Sequence, residues 1–262
     1  MGVAHTATVD QRFGFLDAAT PLAFAHRGGA ADGAENTMEA FGRAVALGYR
    51  YLETDVHATA DGVPVVFHDS TLLRLTGASG RVADLRWADL AAVRVGGAGV
   101  VPRLDDLLAA WPQVRLNIDV KADAAAAPTI ATLERTGTGD RVLLASFSDT
   151  RLARIRSLAG PGIATSLGLR AVARLRAASL IGARIRLPAS AVAAQVPVRH
   201  GPLPVVDRRF VRHAHRLGLQ VHVWTVDDPA EMGDLLDLGV DGIMTDRIEI
   251  LRQVYAERGL WG

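Results

Sequence analysis

At 262 residues, 49% hydrophobic and 22% charged, with a formal net charge of +1, the chain has the composition of an ordinary globular protein of barrel size. That balance excludes a disordered chain, and it excludes a whole-molecule field that would draw nucleic acid or an anionic membrane. The absence of cysteine excludes disulfides, thiolate chemistry and Cys-ligated zinc.

Residues 1–20 contain no basic segment followed by an apolar run, so no secretory leader is expected and the expected location is cytoplasmic. No uncharged apolar stretch approaches the roughly 20 residues of a membrane span. From Leu22 to Met244, short apolar runs alternate with amphipathic stretches, the pattern of repeated βα units. A first strand at Leu22–Ala25 ends in His26-Arg27-Gly28-Gly29. A helix over Thr37–Leu47 stops at Gly48, and a second strand follows at Arg50–Val56. The next strand-like run, Val63–His68, comes after only Ala58–Gly62. A parallel crossover needs a dozen residues or more, so this run must fold back as an antiparallel hairpin at Asp61-Gly62. That register sets Glu53 roughly opposite His68, with Glu53, Asp55 and His57 on one face.

A third strand is expected at Val114–Lys121, with Asn117, Asp119 and Lys121 on one face. Ala122–Ala127 is a loop and helix start. A strand at Arg141–Phe147, a helix at Asp149–Leu158 and a strand at Gly162–Ser166 come next. The sixth strand is either Ile181–Leu187 or Ala194–Pro197. A helix at Arg208–Leu217, a strand at Gln220–Val226, a helix at Pro229–Leu238 and a strand at Gly239–Thr245 complete the series. Eight strands alternating with helices make an α/β fold: one (β/α)8 TIM barrel domain over residues 1–262, with a small β-hairpin insertion after the second strand.

Active sites of such barrels sit at the C-terminal ends of the strands. Those positions hold His26, Arg27, Glu53, Asp55, Asn117, Asp119, Lys121 and Trp224; Lys121 is the only lysine in the chain. Three carboxylates facing one another repel unless compensated, and a hard divalent cation, Mg2+ or Ca2+, suits all-oxygen ligands. Arg27 and Lys121 add positive charge suited to a phosphoryl group, and two histidines supply an acid and a base. Together they read as metal-assisted phosphodiester hydrolysis.

His26-Arg27-Gly28, Glu35-Asn36-Thr37, Glu53-Thr54-Asp55, Asp61-Gly62 and His68-Asp69, in that order, resemble the signature of glycerophosphodiester phosphodiesterases. Asn117–Lys121, Ser146-Phe147-Ser148, Val223–Val226 and Gly239–Asp246 continue the resemblance over nearly the whole chain. The resemblance implies release of glycerol 3-phosphate from a glycerophosphodiester, with His26 and His68 as the acid/base pair. Glu53, Asp55 and Asp119 would hold the metal, and Arg27 and Lys121 the phosphate. The family more often has Glu at the third ligand position, and Asp119 is one methylene shorter. The stretch from Gln195-Val196-Pro197 through Val221–Thr225 is similar to members that act as lysophospholipase D, so a lysophospholipid stands beside a small diester as substrate. A related lipid-cleaving phospholipase barrel and a non-catalytic phosphate-binding barrel are the rival readings. The nucleophile is water or the substrate's own hydroxyl, and oligomeric state has no signal in the sequence.

Taken singly, these residues have ordinary readings: His-Arg-Gly is a turn, Glu53 and Asp55 a wet strand edge, His68-Asp69 a hairpin closure. Their joint position at strand ends sets those readings aside. Trp224 is placed as a substrate wall. Glu35 and Asn36 either cap the first helix or lie near the metal. His57 is read as supporting or on the surface, His222 as core or supporting, His213 and His215 as facing outward or packed locally, and His5 and His200 as loop residues.

Overall fold

Eight parallel strands form the centre of the molecule: β1 Leu22–Ala25, β2 Tyr51–Ala58, β3 Arg115–Val120, β4 Val142–Ala145, β5 Ala164–Ser166, β6 Ala191–Pro197, β7 Gln220–Trp224 and β8 Gly242–Thr245. β1 pairs with both β2 and β8, which closes the sheet into a barrel. This computed structural model describes residues 13–31, 33–96 and 99–261. His5 lies outside them.

The alternation of side chains along each strand sorts residues between two compartments. Leu52, Val56, Ile118, Val120, Val223 and Ile243 point outward into a layer shared with the helices. Phe24, Tyr51, Leu143, Val192 and Met244 point inward, where Phe13, Phe15 and Leu16 pack with them. Along β2 the inward positions run Tyr51, Glu53, Asp55, and along β3 Arg115, Asn117, Asp119. The interior is therefore apolar at one end and polar at the C-terminal end.

The expected helices appear at Met38–Ala46, Asp149–Ala159, Arg208–Arg216 and Pro229–Leu238, and Asp123–Thr136 begins where the alanine-rich stretch predicts. Of the two alternatives for the sixth strand, Ile181–Leu187 is wrong. Ile181 is the last residue of a helix, Leu169–Ile181, stopped by Gly182 at φ 71°. The alternation after it belongs to an irregular segment whose Ile185 and Leu187 lean on the helix layer. β4 and β7 also end two residues early, so Phe147 and Thr225–Val226 lie in loops.

The hairpin forms as expected, with Pro64–Val66 antiparallel to β2. β1 is only four residues long and covers β2 at Tyr51 and Leu52, so Pro64–Val66 occupies the edge that β1 leaves open. The register is one step away from expectation. Val66 pairs with Val56 and Phe67 N–H donates to Asp55 O, so His68 has left the ladder rather than facing Glu53 across it. The segment from 65 to 101 folds over its own small core of Val65, Phe67, Leu72, Val82, Leu90, Val95 and Val101. No helix among the described residues is long and apolar enough to cross a membrane.

Candidate active site

The turn after β1 places the first two site residues. Arg27 has φ 53° and Asn36 φ 58°, the two non-glycine residues with positive φ among those described, and both lie at this site. Such backbone costs about 1–3 kcal/mol and persists where its surroundings hold it. Here the Arg27 N–H donates to Glu53 Oε2 at 3.2 Å. Gly28 permits the turn, because a Cβ at this position would lie 2.9 Å from the backbone of the Met38–Ala46 helix.

Both histidines are oriented by aspartates. His26 Nδ1–H donates to Asp246 Oδ1 at 2.6 Å, leaving Nε2 3.7 Å from Glu53 Oε2. His68 Nδ1–H donates to Asp69 Oδ1 at 2.6 Å, and His57 Nε2–H holds the His68 carbonyl at 3.1 Å. His57 is thus a buried support. Lys121 Nζ lies between Asp55 Oδ1 at 2.8 Å and Asp119 Oδ2 at 2.7 Å. Asn36 Nδ2 donates to Asp55 Oδ2, and Arg27 Nε lies 3.2 Å from the same oxygen in an ion-pair contact. Asp119 Oδ1 is buried with no partner among the described residues.

Glu35 binds neither helix end nor cleft floor. It accepts from Arg27 and doubly from Arg74, and Thr37 caps the helix instead. Arg74 also grips Asp69 through two hydrogen bonds. An insertion residue thereby ties the carboxylate behind His68 to the one behind Arg27.

His26, Arg27, Glu53, Asp55, His68, Asp119, Lys121 and Trp224 all line one cleft of about 480 Å³ at the C-terminal end of the barrel; Glu35 does not. The other side of the cleft is apolar, with Phe147, Leu167, Leu169, Val172, Val196 and Trp224. Phe147 and Trp224 meet edge to face at 5.4 Å. His222 is fully buried beneath them, and His213 is buried in its helix. His215 Nε2 binds Asp241 at 2.7 Å. His200 is exposed on a short strand, Arg199–His200, at the mouth.

The charges differ in their settings. Burial and the adjacent Asp55 push Glu53 above the ordinary carboxylate range. Burial would raise Asp55 too, but Lys121 and Arg27 outweigh it and hold Asp55 low. Burial raises Asp119 by more than Lys121 offsets. Burial would lower His26, yet the Glu53 charge and the Asp246 hydrogen bond together raise it above 6.5. Asp246→Asn removes one raising contribution, so the pKa of His26 is expected to fall. NMR titration of the imidazole reads this directly, and an unmoved pKa would show that Asp246 does not set it.

The model of the glycerophosphoryl diester phosphodiesterase family matches residues 26–250. The chain belongs to this family. With it the chain falls among the phosphoric diester hydrolases. A Mycobacterium tuberculosis protein named "Probable glycerophosphodiester phosphodiesterase 2" is 43% identical over 251 residues, 94% of this chain and 95% of its own. A lysophospholipase D from Rattus norvegicus is 25% identical over 256 residues, covering 84% of this chain and 82% of its own. The barrel superposes on an Oleispira antarctica phosphodiesterase, solved with the product sn-glycerol-3-phosphate, with a TM-score of 0.76. That match has 22% identity and covers 90% of this chain and 97% of the other.

In this glycerophosphoryl diester phosphodiesterase, Asp246, Asp69, Arg74 and Gln195 have no site role in the sequence reading, whereas Asn36 is placed there at the first helix or near the metal and lies on Asp55. Asp246 and Asp69 each stood inside a motif already singled out, and their place beside a histidine nitrogen was the available signal. Gln195 stood in a stretch that the resemblance singled out, and Arg74 carried no signal.

Proposed function

We propose that this protein hydrolyses glycerophosphodiesters to glycerol 3-phosphate and an alcohol, with His26 and His68 as acid and base. The observation that carries the reading is the matched pair of imidazoles, each with Nδ1 held at 2.6 Å by an aspartate, beside buried carboxylates and two cations. Each aspartate fixes the tautomer, so each histidine offers Nε2 to a reacting oxygen. Arg27 and Lys121 bring positive charge to the phosphodiester. The eight parallel strands from Leu22 to Thr245 close into one sheet, which supports the reading of a single barrel domain.

A divalent cation, Mg2+ or Ca2+, fits the donors Glu53, Asp55 and Asp119. All are carboxylate oxygens, Asp119 Oδ1 has no other partner, and an ammonium already sits between Asp55 and Asp119. Among the described residues no three His, Asp or Glu side chains are already grouped as a metal cluster, and Glu53, Asp55 and Asp119 are the residues that would hold the ion. When bound, the cation would polarise the phosphoryl oxygen as a Lewis acid.

The test is release of glycerol 3-phosphate from glycerophosphocholine in EDTA, and then with added Mg2+ or Ca2+. Turnover is expected only with metal. Full turnover in EDTA would remove the metal from the reading, and no turnover with either ion would favour a phosphate-binding barrel. The apolar wall of Phe147, Leu169 and Trp224 supports a second substrate class, single-chain lysophospholipids, whose acyl chain it would cover.

A further inference from the structure

Beneath the charged rim the barrel interior carries a second polar feature that the proposed chemistry does not use. Gln195 on β6 reaches across the barrel, and its Nε2 donates to Asn117 Oδ1 on β3 at 2.9 Å. The same Nε2 lies 3.3 Å from His222 Nδ1, and His222 Nε2 lies 2.8 Å from Gln220 Oε1. Burial pushes the pKa of His222 down to about 4, so the ring is neutral near pH 7 and has one N–H to give. That N–H goes to Gln220 Oε1. The bare Nδ1 then accepts from Gln195, and this chain of partners sets the direction of both amides.

Two polar groups remain. Among the described residues, neither Asn117 Nδ2 nor Gln195 Oε1 has a hydrogen-bond partner, and both residues line the cleft. Asn117 pairs in register with Glu53, so its amide lies beside that carboxylate and one inward position below Asp119, with Gln195 joined to it from across the barrel. The Asn117 N–H2 supplies donors and the Gln195 oxygen an acceptor. A hydroxyl needs that complement, and a phosphoryl oxygen or an acyl chain does not.

We propose that Asn117 and Gln195 form a hydroxyl-binding subsite that takes the glyceryl portion of the substrate. Asn117 Nδ2 donates to a glyceryl hydroxyl and Gln195 Oε1 accepts from one. His222 is a positioning residue: it is held by Gln220 and the Phe24 ring and acts on the site by fixing the Gln195 amide. The inference rests on the hydrolase reading for the identity of the ligand. It adds a means by which the site would prefer a glyceryl diester over one without hydroxyls.

The experiment is calorimetric binding of glycerol 3-phosphate and of n-propyl phosphate, which lacks both hydroxyls, to the full chain, with Gln195→Leu and His222→Leu in parallel. Wild type is expected to bind glycerol 3-phosphate roughly 10- to 100-fold more tightly, because the analogue covers the two amides without offering them a hydroxyl partner. Gln195→Leu should bring that ratio close to one. His222→Leu should narrow it, whereas a merely structural role would weaken both ligands equally. Equal binding of the two ligands by wild type would overturn the proposal even if the variants fail to fold. Because binding is read without turnover, a protein that discriminates but hydrolyses nothing would sink the hydrolase reading and leave the subsite standing.

Discussion

His26→Ala and His68→Ala should each lower kcat for glycerophosphocholine by roughly 100- to 10,000-fold, the range for losing a positioned acid or base. Both rings sit at the cleft rim with Nδ1 committed to an aspartate, so each truncation removes one proton-transfer group and leaves the partner carboxylate near solvent. Stability should change little by comparison. The two variants should also separate on a substrate with a p-nitrophenol leaving group, which needs no protonation to depart. The variant of the acid should recover most of its rate on that ester, and the variant of the base should not. Steady-state kinetics on both substrates decides the assignment. Near-wild-type turnover of glycerophosphocholine by either variant would remove that histidine from the mechanism.

Lys121→Met should destabilise the metal-free protein by roughly 3–5 kcal/mol, the cost of leaving a buried charge without its partner. Asp55 and Asp119 are register partners on β2 and β3, both buried, and Lys121 is the cation they share. Asp55 keeps Arg27 and Asn36, but Asp119 Oδ2 has no second donor. The variant in EDTA is therefore expected to unfold at markedly lower urea than the parent. Added Mg2+ or Ca2+ should return most of the loss, since an ion between these carboxylates replaces the missing charge. Urea unfolding with and without metal tests both halves. A variant as stable as the parent in EDTA means Lys121 is not what balances the pair, and failure of metal to restore stability speaks against the proposed ligands.

Much of the fold was legible because barrel strands, buried on both faces, read as short apolar runs, and helices between them end on glycines. The Pro229–Leu238 helix, stopped at Gly239, matches its expected bounds. The site list was legible for a related reason. Alternation along β2 and β3 puts Glu53 with Asp55, and Asn117 with Asp119, at the end of the barrel where loops leave room. Ile181–Leu187 misled because alternating apolar residues describe a strand and a loop leaning on a helix layer equally well.

The amino-acid sequence by itself determined the barrel, the hairpin after its second strand, and which acids, histidines and cations stand at one end. Local pattern suffices for these, since strand period and loop length are short-range properties. Only the tertiary structure decided that Asp246, 220 residues from His26, orients it, that Arg74 of the insertion ties Asp69 to Glu35, and that Gln195 spans the barrel to Asn117. Each is a contact between side chains distant in the chain. Closure of the sheet and folding of the insertion onto its rim create them, and no periodicity along the sequence encodes which residues will meet.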